Sequence, residues 1–417
     1  MKTTIIFAFI FFSFLSNAQH RKCGTDEIMK AKLASDPVYK ARHEALEQKL
    51  YHNNSSFRQN GVASPNVVVT IPVVVHVIYK NDAQNISDAQ INSQIAILNA
   101  DFRKLNSDFT TVVPAVFQPL GADLEIQFVL AKRTIDNFPT TGIERKLVNA
   151  SFNFQSNYFT ASGLPAWEPT KYLNIWVGRF ASATLLGFAY LPSNAGAPND
   201  GLCIGDRYFG NTGTAIAPID KGRTATHEIG HYFNLEHPWG DGSTTVECGV
   251  DINSDYVADT PSTLGPYIDC PTFPDNSYTC TNSTDGAMFM NYMDYVNDAC
   301  MAFFTADQKT RVIIALNGPR ASLLTSQGAI ALGLESYAIA NAIKIYPNPS
   351  TDVISILSPN VVIETIEIYN NLGQKIATKI VSETANNINI SDLSAGLYFL
   401  KLFSNNELVK TERLIKL

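Results

Sequence analysis

Positive charge is scarce in this chain. Its 417 residues carry 31 Lys and Arg against 38 Asp and Glu, a net charge of −7. Holding a phosphate backbone takes a basic face, and no cluster here supplies one, so nucleic acid is excluded as a partner. Long apolar runs are also missing beyond residues 5–15, so no transmembrane segment is expected. Cysteine is sparse, with six in all, and none sits at the expected cleavage point directly after Ala18, which argues against a lipid-anchored N-terminus. Apolar residues are not short: 45% of the chain, with 11% aromatic, is ample for the two or three domains this length suggests.

The one apolar run has a meaning of its own. Lys2, the run at 5–15 and the small residues Ser16-Asn17-Ala18 have the pattern of a secretory signal peptide over residues 1–18. The protein is therefore expected to be secreted or held at the cell surface, where six cysteines favour disulfides. Cys248, Cys270, Cys280 and Cys300 fall in one loop-rich segment, and their spacing leaves all three connectivities open. Cys203 sits in an apolar, strand-like run and reads as a buried thiol.

Three of the seven histidines fall within His227-Glu228-Ile229-Gly230-His231-Tyr232-Phe233-Asn234-Leu235-Glu236-His237. On a helix, residues four apart share a face, so His227 and His231 can hold one zinc ion between them. Glu228 follows the first ligand and can reach a zinc-bound water without ligating the metal itself, the position of a general base. His237 lies too far round for a straight helix to deliver. The helix must end near Asn234, with the chain turning back to bring His237 in as third ligand. Three nitrogens leave a fourth position open, which marks a catalytic zinc site rather than a structural one.

With these residues the chain resembles the metzincin metallopeptidases, whose motif runs His-Glu-x-x-His-x-x-Gly-x-x-His. Asn234 stands where that family has glycine. The turn needs a left-handed backbone, and asparagine tolerates it best among the other residues, so a small strain is expected rather than loss of the site. Asn291-Tyr292-Met293-Asp294-Tyr295, followed by Cys300-Met301, resembles the metzincin Met-turn. Met293 would be the floor beneath the zinc, and Tyr295 the tyrosine that stabilises the oxyanion. Together these features most resemble the pappalysin family, over residues 67–320.

The resemblance implies a secreted zinc endopeptidase that cuts protein and peptide substrates with a zinc-activated water. It implies disulfides Cys248–Cys280 and Cys270–Cys300, and a sheet-edge strand at Gly187, Phe188 and Ala189 that pairs with an extended substrate. Asp251, Asn253, Asp255, Asp259 and Thr260 set oxygen donors along one loop, which is calcium chemistry, and pappalysin-like enzymes bind calcium in this region. Asp298, near the Met-turn, is expected to line the pocket for the residue after the scissile bond.

Residues 19–60 read as a propeptide. Asp36-Pro37 starts a charged helix over 38–51, and the polar stretch 53–61 is a plausible processing site. Cys23 follows Arg21 and Lys22, which favour its thiolate, so Cys23 is expected to ligate the zinc in a latent precursor. The catalytic domain spans 61–326, with an α/β (α+β) zincin layout: a buried strand at 67–79, a helix capped by Ser87, strands at 124–130, 172–177, 187–191 and 201–206, then the zinc helix. His76, inside the first strand, reads as a core histidine. A linker at 327–342 precedes an all-β sandwich at 343–417, with a hairpin turning at Asn370-Asn371-Leu372-Gly373. Tyr346-Pro347-Asn348-Pro349 and Gly396-Leu397-Tyr398 resemble the C-terminal sorting domain of type IX secretion substrates, which implies a secretion machinery as partner. The competing expectations are a non-catalytic adhesin on a metzincin scaffold, disfavoured by Glu228, and a small-molecule amidase, which would need a closed pocket.

Overall fold

The computed structural model of the chain describes residues 22–60, 68–240, 255–280, 285–331, 342–359, 361–381, 387–404 and 407–417, with backbone alone over 50–60 and at 407. Two compact units divide at Ile330. In the first, β1 (Lys22–Cys23) leads into helices α1 (Thr25–Ser35) and α2 (Pro37–Asn60). There follow β2 (Val69–Tyr79), α3 (Asp88–Phe102), the single turn α4 (Phe109–Val112), β3 (Ile126–Leu130), β4 (Ile143–Leu147) and the single turn α5 (Phe154–Asn157). Next come β5 (Leu173–Gly178), β6 (Leu185–Ala189), β7 (Leu202–Gly205), α6 (Arg223–Tyr232), the short strands β8 (Ile268–Asp269) and β9 (Tyr295–Val296), and α7 (Ala306–Asn317).

The β-branched run makes β2 the centre of the sheet. It is buried on both faces, pairs with β5 on one side and on the other meets β3 along its first half and β4 along its second, all parallel. The order β1-β6-β7-β5-β2-β3 places β6, antiparallel to β7, at the rim of the catalytic body, where only β1 lies outside it. Ser87 caps α3 by accepting from the Gln90 amide, and Ile91, Leu98 and Phe102 bury one face of that helix in the main core. His76 is a core histidine, as expected. Its Nδ1 lies 2.8 Å from Glu144, its Nε2 2.8 Å from Asn174 Oδ1, and Trp176 stacks on its ring.

Three features depart from the sequence reading. β4 was not anticipated, because Ile143-Glu144-Arg145-Lys146-Leu147 is too charged to stand out as a strand. Helix α2 continues to Asn60, so the polar residues after Asn53 do not end it. The start of the expected linker packs on the first unit: the carbonyls of Gly328 and Ile330 accept from Lys132 N and Arg133 Nε.

The second unit is the expected β-sandwich. One sheet orders β10 (Lys344–Tyr346), β11 (Val353–Leu357) and β14 (Asn387–Asn389); the other orders β13 (Lys375–Ile380), β12 (Thr365–Asn370), β15 (Gly396–Ser404) and β16 (Glu407–Lys416). Alternation turns Ile366, Ile368, Leu400 and Leu402 into a shared core. The β12–β13 hairpin turns where expected, with Asn370 Oδ1 accepting the amides of Leu372 and Gln374 and Gly373 at φ 77°.

Candidate metal centre and cleft

Helix α6 builds the centre. Every residue in it is buried, and the chain reverses just beyond its end. Asn234 takes φ 74°, and the Leu235 amide bonds back to Gly230 O at 2.9 Å. The reversal sets His237 beside the helix. The Nε2 atoms of His227, His231 and His237 then lie 3.1–3.2 Å from one another. Each Nδ1 faces away from this point: His227 toward Tyr292 O (2.8 Å), His231 toward Leu235 O (2.7 Å) and His237 toward the Asp26 carboxylate (3.1 Å).

A carbonyl only accepts, so Nδ1 of His227 and His231 carries the proton and each Nε2 lone pair points inward. Converging lone pairs repel unless a cation lies between them. Zinc at about 2.0–2.1 Å from each nitrogen, in tetrahedral geometry, sets ligand nitrogens about 3.3 Å apart, close to the spacing here. The donor set fits zinc. The sulfur of Cys23 completes a buried group whose ligand atoms all lie within 4.8 Å of one another.

The surroundings fix these rings. Met293 is fully buried under the helix, and a Cβ on Gly230 would run into its sulfur, so glycine at this helix position is a packing requirement. Asp101 of α3 accepts from Thr226 Oγ1 (2.7 Å) and Tyr292 Oη (2.8 Å) and pairs with Arg223 (3.0 Å), tying α6 to the Met-turn. Burial outweighs these partners and raises the Asp101 pKa to about 6. Trp239 stacks on the His237 ring, with centroids 4.5 Å apart. Neither Asp101 nor Trp239 carries a motif by which sequence could single it out. Asp26, three residues after Cys23, could have been suspected as a second acidic contact.

The segment 22–26 lies across the centre. β1 pairs in parallel with β6, Cys23 opposite Gly187. Gly187 has no side chain for good reason: a Cβ there would sit 2.9 Å from Ile204 Cδ1 and 3.0 Å from Glu228 Oε1. Phe188 turns its ring into a separate aromatic cluster, so it presents backbone to the cleft. Thr25 Oγ1 lies 3.2 Å from Glu228 Oε2 and accepts from the Ala189 amide at 2.9 Å. The Cys23 thiol points at Glu228 Oε2 (3.4 Å), and the Cys23 amide donates to Tyr295 Oη (3.3 Å).

Burial, then the charges of Glu228 and Asp26, raise the Cys23 pKa well above the ordinary thiol value. The expected help from neighbouring cations is not seen. Lys22 points outward and pairs with Glu27 at 2.7 Å, and Arg21 lies outside the described residues. A metal in the centre would reverse this, since a coordinating thiol gives up its proton. Burial, then Cys23, likewise raises the Tyr295 pKa, which keeps its hydroxyl a donor.

The remaining candidates scatter. Cys270 and Cys300 form a disulfide with Cα atoms 5.6 Å apart; Cys280 is half-buried, and Cys248 lies outside the described residues. Asp251 and Asn253 also lie outside them. Asp255 and Thr260 face each other, with Asp255 buried and its pKa raised by that burial to about 7. Asp259 instead serves the start of α7, accepting from Thr305 Oγ1 (2.6 Å) and the Asp307 amide (2.9 Å). Asp298 is fully buried, its Oδ2 accepting the amides of Lys221 (2.8 Å) and Arg223 (3.2 Å) where α6 begins.

A rim strand over a helix with three converging imidazoles and an adjacent glutamate defines the zincin class of metallopeptidase, and the methionine floor its metzincin branch. Known proteins agree. Residues 135–317 match the family described as pregnancy-associated plasma protein-A, and residues 344–417 match the secretion system C-terminal sorting domain. The structure of mature mirolysin from Tannerella forsythia, in complex with a cleaved peptide, is 42% identical. It superposes with a TM-score of 0.58 over 63% of this chain and 97% of that one. A promirolysin mutant from the same organism is 38% identical, with a TM-score of 0.63 over 73% of this chain and 97% of that one. Extracellular metalloproteases of Sordaria macrospora and Neurospora crassa are each 26% identical over 306 residues, 72% of this chain and 89% of theirs. The chain belongs to the pappalysin family of metzincin metallopeptidases and carries a secretion sorting domain at its C-terminus.

Proposed function

We propose that the protein is a secreted zinc endopeptidase made as a latent precursor, with His227, His231 and His237 as zinc ligands and Glu228 as general base. The observation that carries this reading is the convergence of three Nε2 lone pairs beside a buried glutamate. Bound zinc would supply Lewis acidity, polarising the scissile carbonyl and making the attacking water more acidic. The Glu228 carboxylate takes one proton from that water as its oxygen attacks the carbonyl carbon, and returns it to the nitrogen of the breaking peptide bond. The Tyr295 hydroxyl donates to the oxygen on which negative charge develops. The backbone of Gly187, Phe188 and Ala189 holds the substrate extended as an added strand.

Latency follows from what residues 22–26 occupy. Cys23 would be the fourth zinc ligand, Thr25 covers Glu228, Asp26 holds His237, and the Cys23 amide engages Tyr295. All four contacts leave when residues 19–60 are removed. A calcium ion in the loop 251–260, with Asp255 as its described carboxylate, belongs to the same proposal; a melting temperature unchanged by adding calcium to chelated protein would refute it.

The deciding experiment is cleavage of a peptide library by protein lacking residues 1–60, beside Glu228→Ala with its metal content measured. Cleavage that disappears in the variant at unchanged zinc establishes the reading. A folded, zinc-loaded parent that cuts nothing overturns it. In the full chain, Cys23→Ala is expected to show activity before processing, and a variant as silent as the parent would remove Cys23 from the latency device.

A further inference from the structure

Far from Cys23 along the same N-terminal segment, α2 makes a second and different contact with the catalytic body. The Arg311 side chain is 1% exposed, and its two terminal nitrogens grip both Glu47 oxygens at 3.2 and 3.0 Å. Arg311 Nε is tied to the Asn234 carbonyl at 2.9 Å, and Asn234 Nδ2 donates to Glu47 Oε1, also at 2.9 Å. The guanidinium is thus oriented by the catalytic body itself, and two parallel donors are the geometry that recognises a carboxylate. Asn234 contributes through the amide that a glycine at this turn would lack. Leu46, one residue before Glu47, is buried against Ile314, but the contact is not continuous along α2. A cavity of about 500 Å³ opens beside Arg42, Leu46 and Lys49, against Pro192, Ser193 and Gly318.

We propose that Arg311 and Asn234 form a carboxylate-binding exosite outside the catalytic cleft, and that its ligand is Glu47 of the pro-segment, retained after the chain is cut. The proposal rests on the reading of residues 19–60 as a removable pro-segment. Cutting between α2 and β2 severs the covalent link and leaves the segment held by linked noncovalent contacts: residues 22–26 in the cleft, Lys32 on Asn194 (3.0 Å), Leu46 against Ile314, and the Glu47 clamp. Linked contacts hold far more tightly than any one alone. One cut therefore yields a nicked, still inhibited complex, and activation requires that the clamp release or that α2 itself be cut.

The test uses the full chain with a site-specific protease sequence placed between residues 61 and 66. After nicking, a fluorophore on the pro-segment reports its dissociation, and peptide cleavage is followed in parallel. The parent is expected to keep its pro-segment through gel filtration. Glu47→Ala should lose it roughly 30- to 3,000-fold faster, the range for truncating one partner of a buried hydrogen-bonded charge pair. Glu47→Gln, which keeps helix propensity and shape, should fall between the two. Dissociation of both Glu47 variants at the parent's rate would overturn the exosite. Faster dissociation of Glu47→Ala with no gain in peptide cleavage would uphold the exosite and instead refute the inhibitory reading of the pro-segment.

Discussion

Replacing Asp200 by Asn should destabilise the catalytic unit far more than the loss of one surface charge. Arg320 and Asp200 form a bidentate pair at 2.9 and 3.0 Å, with side chains 1% and 0% exposed. The same guanidinium donates to Tyr232 O (2.6 Å) at the end of α6 and to Tyr190 O (3.1 Å) just past the end of β6, and it lies over the Tyr232 ring. Helix and rim strand, the two walls of the cleft, thus hang on one cation. Removing its counter-charge leaves the guanidinium buried and uncompensated, at a cost of about 3–5 kcal/mol. Each kcal/mol moves the melting temperature of a unit ending at Ile330 by about 1.5 °C, so a fall of roughly 4–8 °C is expected. The assay is thermal unfolding followed by circular dichroism in a Glu228→Ala background, so that self-cleavage does not enter. Adding Arg320→Met should recover part of the loss, because no stranded charge then remains. A melting temperature within 1 °C of the parent for Asp200→Asn, or no recovery in the double variant, would refute the reasoning.

Two further outcomes follow from the geometry. Gly187→Ala would press a methyl group against Ile204 and Glu228; a loss of about 1–3 kcal/mol in stability is expected, with kcat falling more than KM rises, and kinetics at the parent's level would count against it. Glu144 is partly buried, which raises its pKa, but hydrogen bonds from His76 and Trp167 outweigh that and leave it below the usual carboxylate value. Its contribution is present above the unfolded pKa and is lost as pH falls through the lower folded value, so stability measured from pH 5 to pH 3 should fall more steeply for the parent than for Glu144→Gln. Parallel curves would exclude it.

What could be read from the chain alone was what has a period or a fixed spacing. The β-branched run gave β2, the Ser87 cap gave α3, and the interval from His231 to His237 required the reversal at Asn234 that the φ of 74° displays. The four-residue turn of the β12–β13 hairpin was legible for the same reason. Contacts between distant segments were not. Arg311 meeting Glu47 spans 264 positions and Tyr292 meeting Asp101 spans 191, and nothing local marks either residue as the one that will be buried. Charged residues in particular mislead, because sequence assigns them to solvent while Arg311 and Arg320 are among the largest fully buried side chains. The helix over 53–60 escaped because Asn53, Asn54, Ser55, Ser56 and Asn60 are poor helix formers individually.

The pairing of β1 with β6 also bears on the journey before any substrate is met. A rim strand with bare amides and carbonyls is a template for joining chain to chain, and a crowded export route presents many copies at once. By laying Lys22 and Cys23 along Leu185 and Gly187, the precursor closes its own open seam with a piece of itself. The rim strand is thereby kept from pairing with a second copy, and under the proposed latency the segment that silences the site is also the one that covers its open edge.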